Sequence, residues 1–358
     1  MVEKHVVHML WTLGRGGAER MVFDMARSLP ARGYRVTVIA AGGGGEMAMD
    51  FRASGIPLII APDALRVSRL QTIAFLRTQL RHLKPDLLHT HLGADVWGGI
   101  ARSREQSQMP WLITSHSFEP DLPFPKRLLR RWAYRHADQV VAVSSGVAST
   151  MRKLYGIEEG KMKTIHLGID LKRFTPRADR PLGEPAHLLA VGRLVPEKNQ
   201  ALLLRALQRV KRPWRLTLAG EGPEHPRLQA LAQDLGLLPR ITFAGSVRDI
   251  APLFQAADLV CIPSRHEGQS LALLEAAASR VPVLASNLPS FHEAFDKRAL
   301  GYVASDDPGA WASAITSVFE GYDAALERAE RASDIVQKSF SLDRMADEYA
   351  ELYRWMVK

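Results

Sequence analysis

Short apolar runs alternate with helical patterns along the first half of the chain. Runs rich in β-branched residues predict strands, and this half contains "KHVVHMLWTL", "YRVTVIAA", "PDLLHTH", "WLITSHS" and "DQVVAVSS". After the first run, apolar residues at positions 21, 22, 25, 26 and 29 have the spacing of a helix packed against a sheet. Strands that alternate with helices in this way predict a parallel sheet with right-handed crossovers.

The alternation starts again in the second half, with "HLLAVGRLV", "WRLTLAGEGP", "RITFAGSV", "ADLVCIPS" and "VPVLASN". Between the halves, "GIDLKRFTPRADRPLGEP" has proline, glycine and charge without periodicity, which is typical of a linker. The last segment, "RMADEYAELYRWMVK", has the spacing of an amphipathic helix. We therefore predict two doubly wound α/β domains, with the first at 1–170, a linker at 171–185, the second at 186–340 and the helix at 341–358.

Composition and charge narrow this picture. A chain of 358 residues with 46% hydrophobic and 24% charged residues is typical of a soluble two-domain protein. A single cysteine, Cys261, excludes a disulfide framework and favours a reducing cytosol. We expect neither a signal peptide nor a membrane span. Residues 1–175 hold 25 Lys and Arg against 15 Asp and Glu, a net of +10, which leaves 22 against 23 and a net of −1 for the rest. The first half is therefore expected to face something anionic.

The loop "GRGGAER" follows the first predicted strand. A dinucleotide fingerprint would need a third glycine where this chain has Glu19, so the loop argues against a nicotinamide dehydrogenase. Gly16 and Gly17 still let the backbone approach a ligand, and the helix that follows directs free N–H groups towards an anion. A plain tight turn is the alternative interpretation.

Cations and carboxylates follow strands of the second half. Arg193 and Lys198 in "VGRLVPEKN" are suited to a diphosphate, the first by forked hydrogen bonds and the second as a point charge. After "LVCIP", Glu267 lies in a turn, a helix begins near the predicted N-cap Ser270, and Glu275 follows in its second turn. Backbone N–H groups flanked by two carboxylates are suited to a nucleotide sugar, whose central diphosphate has hydroxyls on both sides.

Three histidines and a basic segment complete the candidates. His116 follows a strand and is a candidate for substrate contact, with a structural role as the alternative. His89 and His91 resemble a metal pair, but no third ligand has suitable spacing, so we predict no metal site.

Residues 124–137 are basic and apolar, which is typical either of contact with an anionic membrane or of a surface helix packed on its own domain. The residues expected at this surface are Lys126, Arg127, Arg130, Arg131 and Trp132.

The chain resembles the retaining glycosyltransferases of family 4, which have the GT-B fold. The resemblance covers nearly the whole chain and rests on an ordered set of motifs: "GGAER", "PDLLHTHLG", "TSHS", "VAVSSGV", "HLGIDLKRFTP", "VGRLVPEKN", "LAGEGP" and "ALLEAAASRVPVLAS". It implies two Rossmann-like domains that face each other across a cleft. The first would bind the acceptor and the second the nucleotide-sugar donor, and the last helix would cross back onto the first domain.

The resemblance also implies roles for single residues. Arg193 and Lys198 would hold the donor diphosphate, and Glu275 the ribose. Glu267 would hold the sugar, and His116 would contact it beside the reacting carbon. The residues implied in catalysis are His116, Arg193, Lys198 and Glu267. Those implied in donor binding are Gly16, Gly17, Gly192, Arg193, Lys198, Gly222, Val247, Glu267, Gly268, Gln269, Ser270, Leu271 and Glu275. Many relatives have an aromatic or aliphatic residue and then glycine where this chain has Gln269 and Ser270, so the donor sugar stays open.

The expected function is therefore retaining transfer of a hexose from a nucleoside-diphosphate sugar, UDP rather than GDP. We expect the reaction to need no cofactor and no metal, and the acceptor to be a lipid-linked or glycan molecule of cell-envelope polysaccharide or glycolipid synthesis. The expected location is the cytoplasm, with contact at the inner face of its membrane. A sugar-nucleotide epimerase and a non-enzymatic nucleotide-binding protein remain alternatives. No recognition motif for nucleic acid is present.

Overall fold

The structure, a computed structural model, describes residues 3–102, 108–117 and 122–358, without the side chains of residues 66 and 67. The chain divides into two compact units. The first contains the residues up to Gly168 together with Leu342–Lys358, and the second contains Ile169–Ser341.

The first unit is built on a parallel sheet of seven strands in the order β3-β2-β1-β4-β5-β6-β7. Strands β1 to β7 are Lys4–Leu10, Tyr34–Ala40, Leu58–Ile60, Leu87–His91, Trp111–Ser115, Gln139–Ala142 and Met162–Thr164. Its helices are α1 to α6, Gly17–Ser28, Ala48–Ala53, Arg69–Leu83, Ala94–Ala101, Phe124–His136 and Ser145–Tyr155, and α14, Leu342–Met356. Short 3-10 turns are Pro30–Arg32, Asp63–Val67 and Glu159–Lys161.

Helices α1 and α14 bury the apolar faces that the sequence predicts. All five apolar positions of the first stripe are buried: Met21, Val22, Met25, Ala26 and Leu29. In α14, Tyr349 and Tyr353 are fully buried within the first unit, and the hydroxyl of Tyr34 in β2 donates to the Ala350 carbonyl at 2.9 Å. The terminal helix is therefore a part of the first unit.

The second unit has a parallel sheet of six strands in the order β10-β9-β8-β11-β12-β13. Strands β8 to β13 are Ala186–Val191, Trp214–Ala219, Ile241–Gly245, Leu259–Ile262, Val283–Ser286 and Gly301–Val303. Helices α7 to α13 are Gln200–Leu207, His225–Asp234, Ala251–Ala256, Leu271–Ala278, Pro289–His292, Pro308–Glu320 and Tyr322–Ser339, with 3-10 turns at Pro196–Lys198 and Leu238–Arg240. Both sheets have a Rossmann-like order, which confirms the predicted fold class.

Residues 171–185, which the sequence assigns to a linker, pack on the second unit. The side chain of Arg177 is buried there, and its guanidinium donates to the Tyr322 hydroxyl at 2.8 Å. The Arg177 amide also donates to the Ser279 carbonyl at 3.1 Å. Phe174 is also buried and packs on the Phe254 ring, so the segment is part of the second unit.

No helix in the described part of the chain is long and apolar enough to cross a membrane.

Candidate functional site

The strand order of the second sheet reverses between β8 and β11, and ligands of such sheets bind beside the carboxyl ends of the strands at this point. The loops after β8, β9 and β10 are joined there by backbone hydrogen bonds. Gly192 donates to Ala219 at 3.0 Å, and Leu194 donates to Glu221 at 2.8 Å. Gly220 in turn donates to Gly245 at 2.8 Å. The three loops therefore form one surface at the sheet edge.

Two glycines allow this close approach. Gly220 and Gly222 have φ angles of 146° and 159°, which side chains rarely adopt. A Cβ on Gly220 would overlap the carbonyl oxygen of Gly192, and one on Gly222 would overlap that of Leu194. Gly222, implied in donor binding by the motifs, therefore also has a structural reason to be glycine.

Lys198 and Glu267 meet at this surface although 69 positions separate them. The Lys198 ammonium donates to Glu267 Oε1, and the Ser264 hydroxyl donates to the same oxygen at 2.8 Å. The two side chains are 24% and 9% exposed, so the pair is largely but not completely shielded from water. A cation fixed in this way beside a carboxylate can meet phosphate and hydroxyl oxygens with little reorganisation.

Helix α10 begins at Leu271, four positions after Glu267. Ser270 is its N-cap, as predicted, and its side chain accepts a hydrogen bond from the Leu273 amide at 3.4 Å. Gly268 is buried, whereas Gln269 and Leu271 are half-buried. Glu275, 8% exposed, lies in the second turn of the helix. The free amides of this N-terminus give the surface an anion-binding edge.

Arg193 differs from Lys198 because it faces solvent. Within the described residues no hydrogen bond or ion pair of its guanidinium is found, whereas its carbonyl accepts from Gln200 at 3.0 Å. Arg193 is thus an available cation at the carboxyl end of β8.

The half-buried Val247 lies in the turn after β10, where the neighbouring Ser246 amide donates to Glu221 Oε1 at 3.2 Å.

In the first unit, the loop after β1 packs against the glycine-rich loop after β2. Gly16 is the N-cap of α1 and Gly17 its first residue. A Cβ on Gly42 would overlap the Trp11 ring, and one on Gly45 would overlap the Leu13 carbonyl. Sequence reasoning missed this second loop, although its four consecutive glycines, 42–45, were a signal of close backbone approach.

His116 lies just after β5 and is half-buried. Its Nε2 is 3.2 Å from Nδ1 of His91, whose Nε2 is 3.1 Å from Nδ1 of His8. Burial lowers the pKa of His8 to about 3 and that of His116 to about 4. Burial also lowers the pKa values of His89 and His91 well below 6.5, and neighbouring imidazoles add to the effect. All four rings are therefore neutral near pH 7.

The third imidazole beside His89 and His91 is His8, which is 83 positions away from His91 and becomes its neighbour because β1 pairs with β4. One nitrogen from each ring lies within 4.8 Å of the others, so the three imidazoles are close enough to share a metal ion. Each of the six ring nitrogens already has a hydrogen-bonding partner: His91 and Tyr353 for His8, Tyr353 and Thr114 for His89, and His8 and His116 for His91. A hydrogen-bonded cluster fits these residues better than metal binding.

Helix α5 carries the basic and apolar surface. Phe124, Leu128 and Leu129 are 61%, 50% and 41% exposed, and the side chains of Lys126, Arg127 and Arg131 are also exposed. Arg130 and Trp132 are half-buried, and the Trp132 ring lies 6.2 Å from that of Trp111. Of the residues expected at this surface, Trp132 therefore faces the domain.

Two family models match the chain. One, described as "Glycosyltransferase Family 4", matches residues 15–173, and the other, described as "Glycosyl transferases group 1", matches residues 185–320. Together they cover most of both units.

Individual proteins show the same likeness. The glycogen synthase of Mycobacterium tuberculosis is 27% identical over 94% of this chain and 91% of its own. D-inositol 3-phosphate glycosyltransferase 2 of Catenulispora acidiphila is 32% identical over 70% of this chain and 66% of its own. The structure of a glycosyltransferase from Rickettsia africae superposes with a TM-score of 0.82 and 22% identity over 99% of both chains. HepE of Anabaena, crystallised with UDP and glucose, gives a TM-score of 0.86 and 20% identity over 98% of this chain and 100% of its own. These structures confirm the GT-B fold class.

Proposed function

Because the chain belongs to the glycosyltransferases of group 1 and family 4, we propose that it transfers a hexose from a UDP-sugar to a lipid-linked or glycan acceptor, with retention at the anomeric carbon. The observation that carries the donor assignment is the Lys198–Glu267 pair beside the N-terminus of α10. The complex of HepE with UDP and glucose supports UDP as the nucleotide.

The chemistry places charge on the leaving diphosphate as the bond to the anomeric carbon breaks. Arg193, Lys198 and the amides at the start of α10 are the groups available to stabilise that charge. Removing one such preorganised contact typically costs about 3 kcal/mol in the transition state. Glu267, held by Lys198 and Ser264, presents its remaining oxygen for a sugar hydroxyl, and Glu275 is assigned to the ribose.

Because these cations and amides can neutralise the diphosphate, we expect transfer without a divalent metal. Retention would follow from a donor phosphate oxygen that helps to deprotonate the acceptor on the face from which the leaving group departs. Activity abolished by EDTA and restored by Mg²⁺ would refute the first expectation. An inverted anomeric configuration in the product, read by NMR, would refute the second.

The donor assignment is tested first by thermal shift with UDP, GDP and their sugars, since a ligand that binds the folded state raises its stability. UDP and a UDP-sugar should raise the melting temperature more than the guanine ligands. If no ligand of the panel raised the melting temperature, the proposal would be overturned. A changed nucleotide sugar released without acceptor would indicate an epimerase, and binding without turnover of any kind would indicate a non-enzymatic nucleotide-binding protein.

The leaving-group role is tested with Arg193→Ala and Lys198→Ala. Each should lower kcat/KM on the order of 100-fold. Lys211→Ala is the matched control, because this exposed lysine precedes β9 and so lies at the opposite end of the strands. Wild-type turnover in both alanine variants would exclude the role.

The lipid-linked acceptor is supported by helix α5. Phe124, Leu128, Arg131 and Arg135 recur at spacings of four, three and four, so they share one helix face, and all four are exposed. Apolar side chains beside arginines can enter the headgroup region of an anionic bilayer. This contact would place a cytoplasmic enzyme at the membrane where envelope precursors are assembled.

Membrane contact is tested by sedimentation with anionic and neutral phospholipid vesicles at low salt. The double variant Phe124→Ser and Leu128→Ser should lose binding to the anionic vesicles. Leu70→Ser is the control, because Leu70 is 81% exposed but belongs to α3. Equal binding by the double variant and the control, or no binding by the wild type, would count against a membrane-bound acceptor.

A further inference from the structure

A continuous chain of hydrogen bonds runs from the terminal helix to His116 inside the first unit. It begins at the Tyr349 hydroxyl, which is 3.0 Å from that of Thr114. Its links lead through His89, Tyr353, His8 and His91 to His116, with distances of 2.7, 2.6, 3.4, 3.1 and 3.2 Å from Thr114 onwards. Apart from His116, every member is fully or almost fully buried. The chain connects three strands and one helix to the residue assigned to the sugar.

Each member can donate only one proton along this chain. A neutral imidazole has one N–H and one bare nitrogen, and a hydroxyl has one proton. The four rings are neutral for the reasons given above, and burial raises the pKa of Tyr353, which keeps its proton. A neutral imidazole must therefore donate on one side and accept on the other. If the hydroxyl of Thr114 or Tyr353 accepted from both neighbours, its own buried O–H would be left without an acceptor in this network, which is costly. The protons therefore all point the same way, either towards His116 or towards Tyr349.

The buried end decides the direction. Within the described chain, Thr114 is the partner found for the Tyr349 hydroxyl, and Tyr349 is fully buried. If the protons pointed towards Tyr349, its O–H would have no acceptor. A buried donor left without a partner is more costly than an unused lone pair on an oxygen. Tyr349 therefore donates, and each following member donates in turn.

From this direction we propose that His91 is a positioning residue, whose Nδ1–H donates to His116 Nε2 and holds His116 in the tautomer that presents Nδ1–H to an oxygen of the substrate. Tyr349, Thr114, His89, Tyr353 and His8 act through His91 and fix its tautomer. All four histidines then carry their proton on Nδ1. The substrate contact rests on the function proposed above, whereas the tautomers do not.

The tautomers are measured first, by long-range ¹H–¹⁵N correlation spectra of ¹⁵N-histidine-labelled protein at pH 7.5. His187 is an internal reference, since its Nδ1 lies 3.1 Å from the Ala256 carbonyl, which can only accept, and therefore carries the proton. His116 is assigned by its loss in His116→Gln. Wild-type His8, His89, His91 and His116 should all match the His187 pattern, and an Nε2–H tautomer in any of them would overturn the proposal. Stoichiometric zinc in the purified protein would overturn it as well.

A matched pair at position 91 tests the positioning. His91→Leu removes the donor and should release His116 to a mixture of tautomers. His91→Asn keeps an amide N–H close to the place of Nδ1 and should preserve the wild-type pattern. His5→Asn is the control, because His5 is a buried β1 histidine that is hydrogen-bonded to Thr37 and does not belong to the chain of hydrogen bonds that leads to His116. An unchanged His116 spectrum in His91→Leu would refute the positioning role, and if that variant does not fold, the wild-type tautomers still decide the direction.

Kinetics then separate the two proposals. His91→Leu should lower kcat/KM about tenfold, mainly through kcat, while His91→Asn and His5→Asn stay within about threefold of the wild type. Equal rates for the Leu and Asn variants would show that the tautomer does not matter to transfer. Absence of any transferase activity in the wild type would defeat the proposed function and leave the spectroscopic result standing.

Discussion

Acidification should destabilise the first unit through its buried histidines. His8, His89 and His91 are fully buried and neutral, with pKa values below the 6.5 of an imidazole in water. Below pH 6.5 the unfolded chain binds protons that the folded chain excludes. Stability is therefore complete above pH 6.5 and falls as the pH decreases, for His8 until about pH 3.

The magnitude follows from the two pKa values. At pH 5.5 an imidazole with a pKa of 6.5 is about ten to one protonated, which favours unfolding by about 1.4 kcal/mol for each histidine that stays neutral when folded. The three fully buried rings together give about 4 kcal/mol if their effects add. This is a large part of the roughly 5–15 kcal/mol that stabilises a typical domain.

Hydrogen exchange followed by mass spectrometry resolves the effect by unit. Peptides from β1 and β4, corrected for the intrinsic exchange rate, report the opening free energy of the first sheet at pH 7.5, 6.5 and 5.5. His8→Gln removes one titrating ring. The opening free energy of the first sheet should therefore fall by about 1.4 kcal/mol less in this variant than in the wild type over this pH range. His82→Gln is the control, because His82 is exposed to water.

The reasoning would be refuted if His8→Gln and the wild type lost the same free energy between pH 7.5 and 5.5. It would also be refuted if the first sheet kept its full protection at pH 5.5. A lower stability of His8→Gln at every pH would not affect this test, because only the change in opening free energy with pH reports proton binding by His8.

Three further predictions concern the two loop regions. Gly222→Ala should lower the free energy of unfolding of the second unit by roughly 3 kcal/mol because its Cβ would overlap the Leu194 carbonyl, whereas Gly236→Ala, with φ of 69° and open space around it, should cost only about 1 kcal/mol. Equal losses would contradict the close approach. Ser270→Ala should destabilise the second unit by about 1 kcal/mol through loss of the α10 cap, measured by urea unfolding, and no loss would exclude the cap. Gly16→Val should impair transfer more than UDP binding, since the cations assigned to the diphosphate belong to the second unit. Equal loss of both, measured by kinetics and calorimetry, would contradict the assignment.

Much of the fold could be predicted because its signals are local. The stripe from Met21 to Leu29, the cap at Ser270 and the amphipathic terminal helix are each encoded within one or two helical turns. Alternation of strands and helices then leaves a parallel sheet as the economical arrangement. Placing Arg193, Lys198 and Glu267 after strands followed from the same rule, because chemistry at such sheets lies at the carboxyl ends.

The partners of those residues could not be predicted because they depend on which strands become neighbours. Lys198 pairs with Glu267 since β8 lies beside β11, and His8 joins His91 since β1 lies beside β4. Periodicity specifies which face of an element is buried but carries no information on strand order. Spacing alone therefore showed His89 and His91 as a pair and missed the third ring.

The sequence by itself determined the two α/β domains, the family and the loops that carry charge, because each depends on residues close together in the chain. Only the tertiary structure decided that Tyr349 and Tyr353 of the last helix meet the histidines of the first unit, and that a single line of hydrogen bonds ends at His116. Buried polar groups must find partners wherever the fold brings them, and those partners here lie up to 345 positions away.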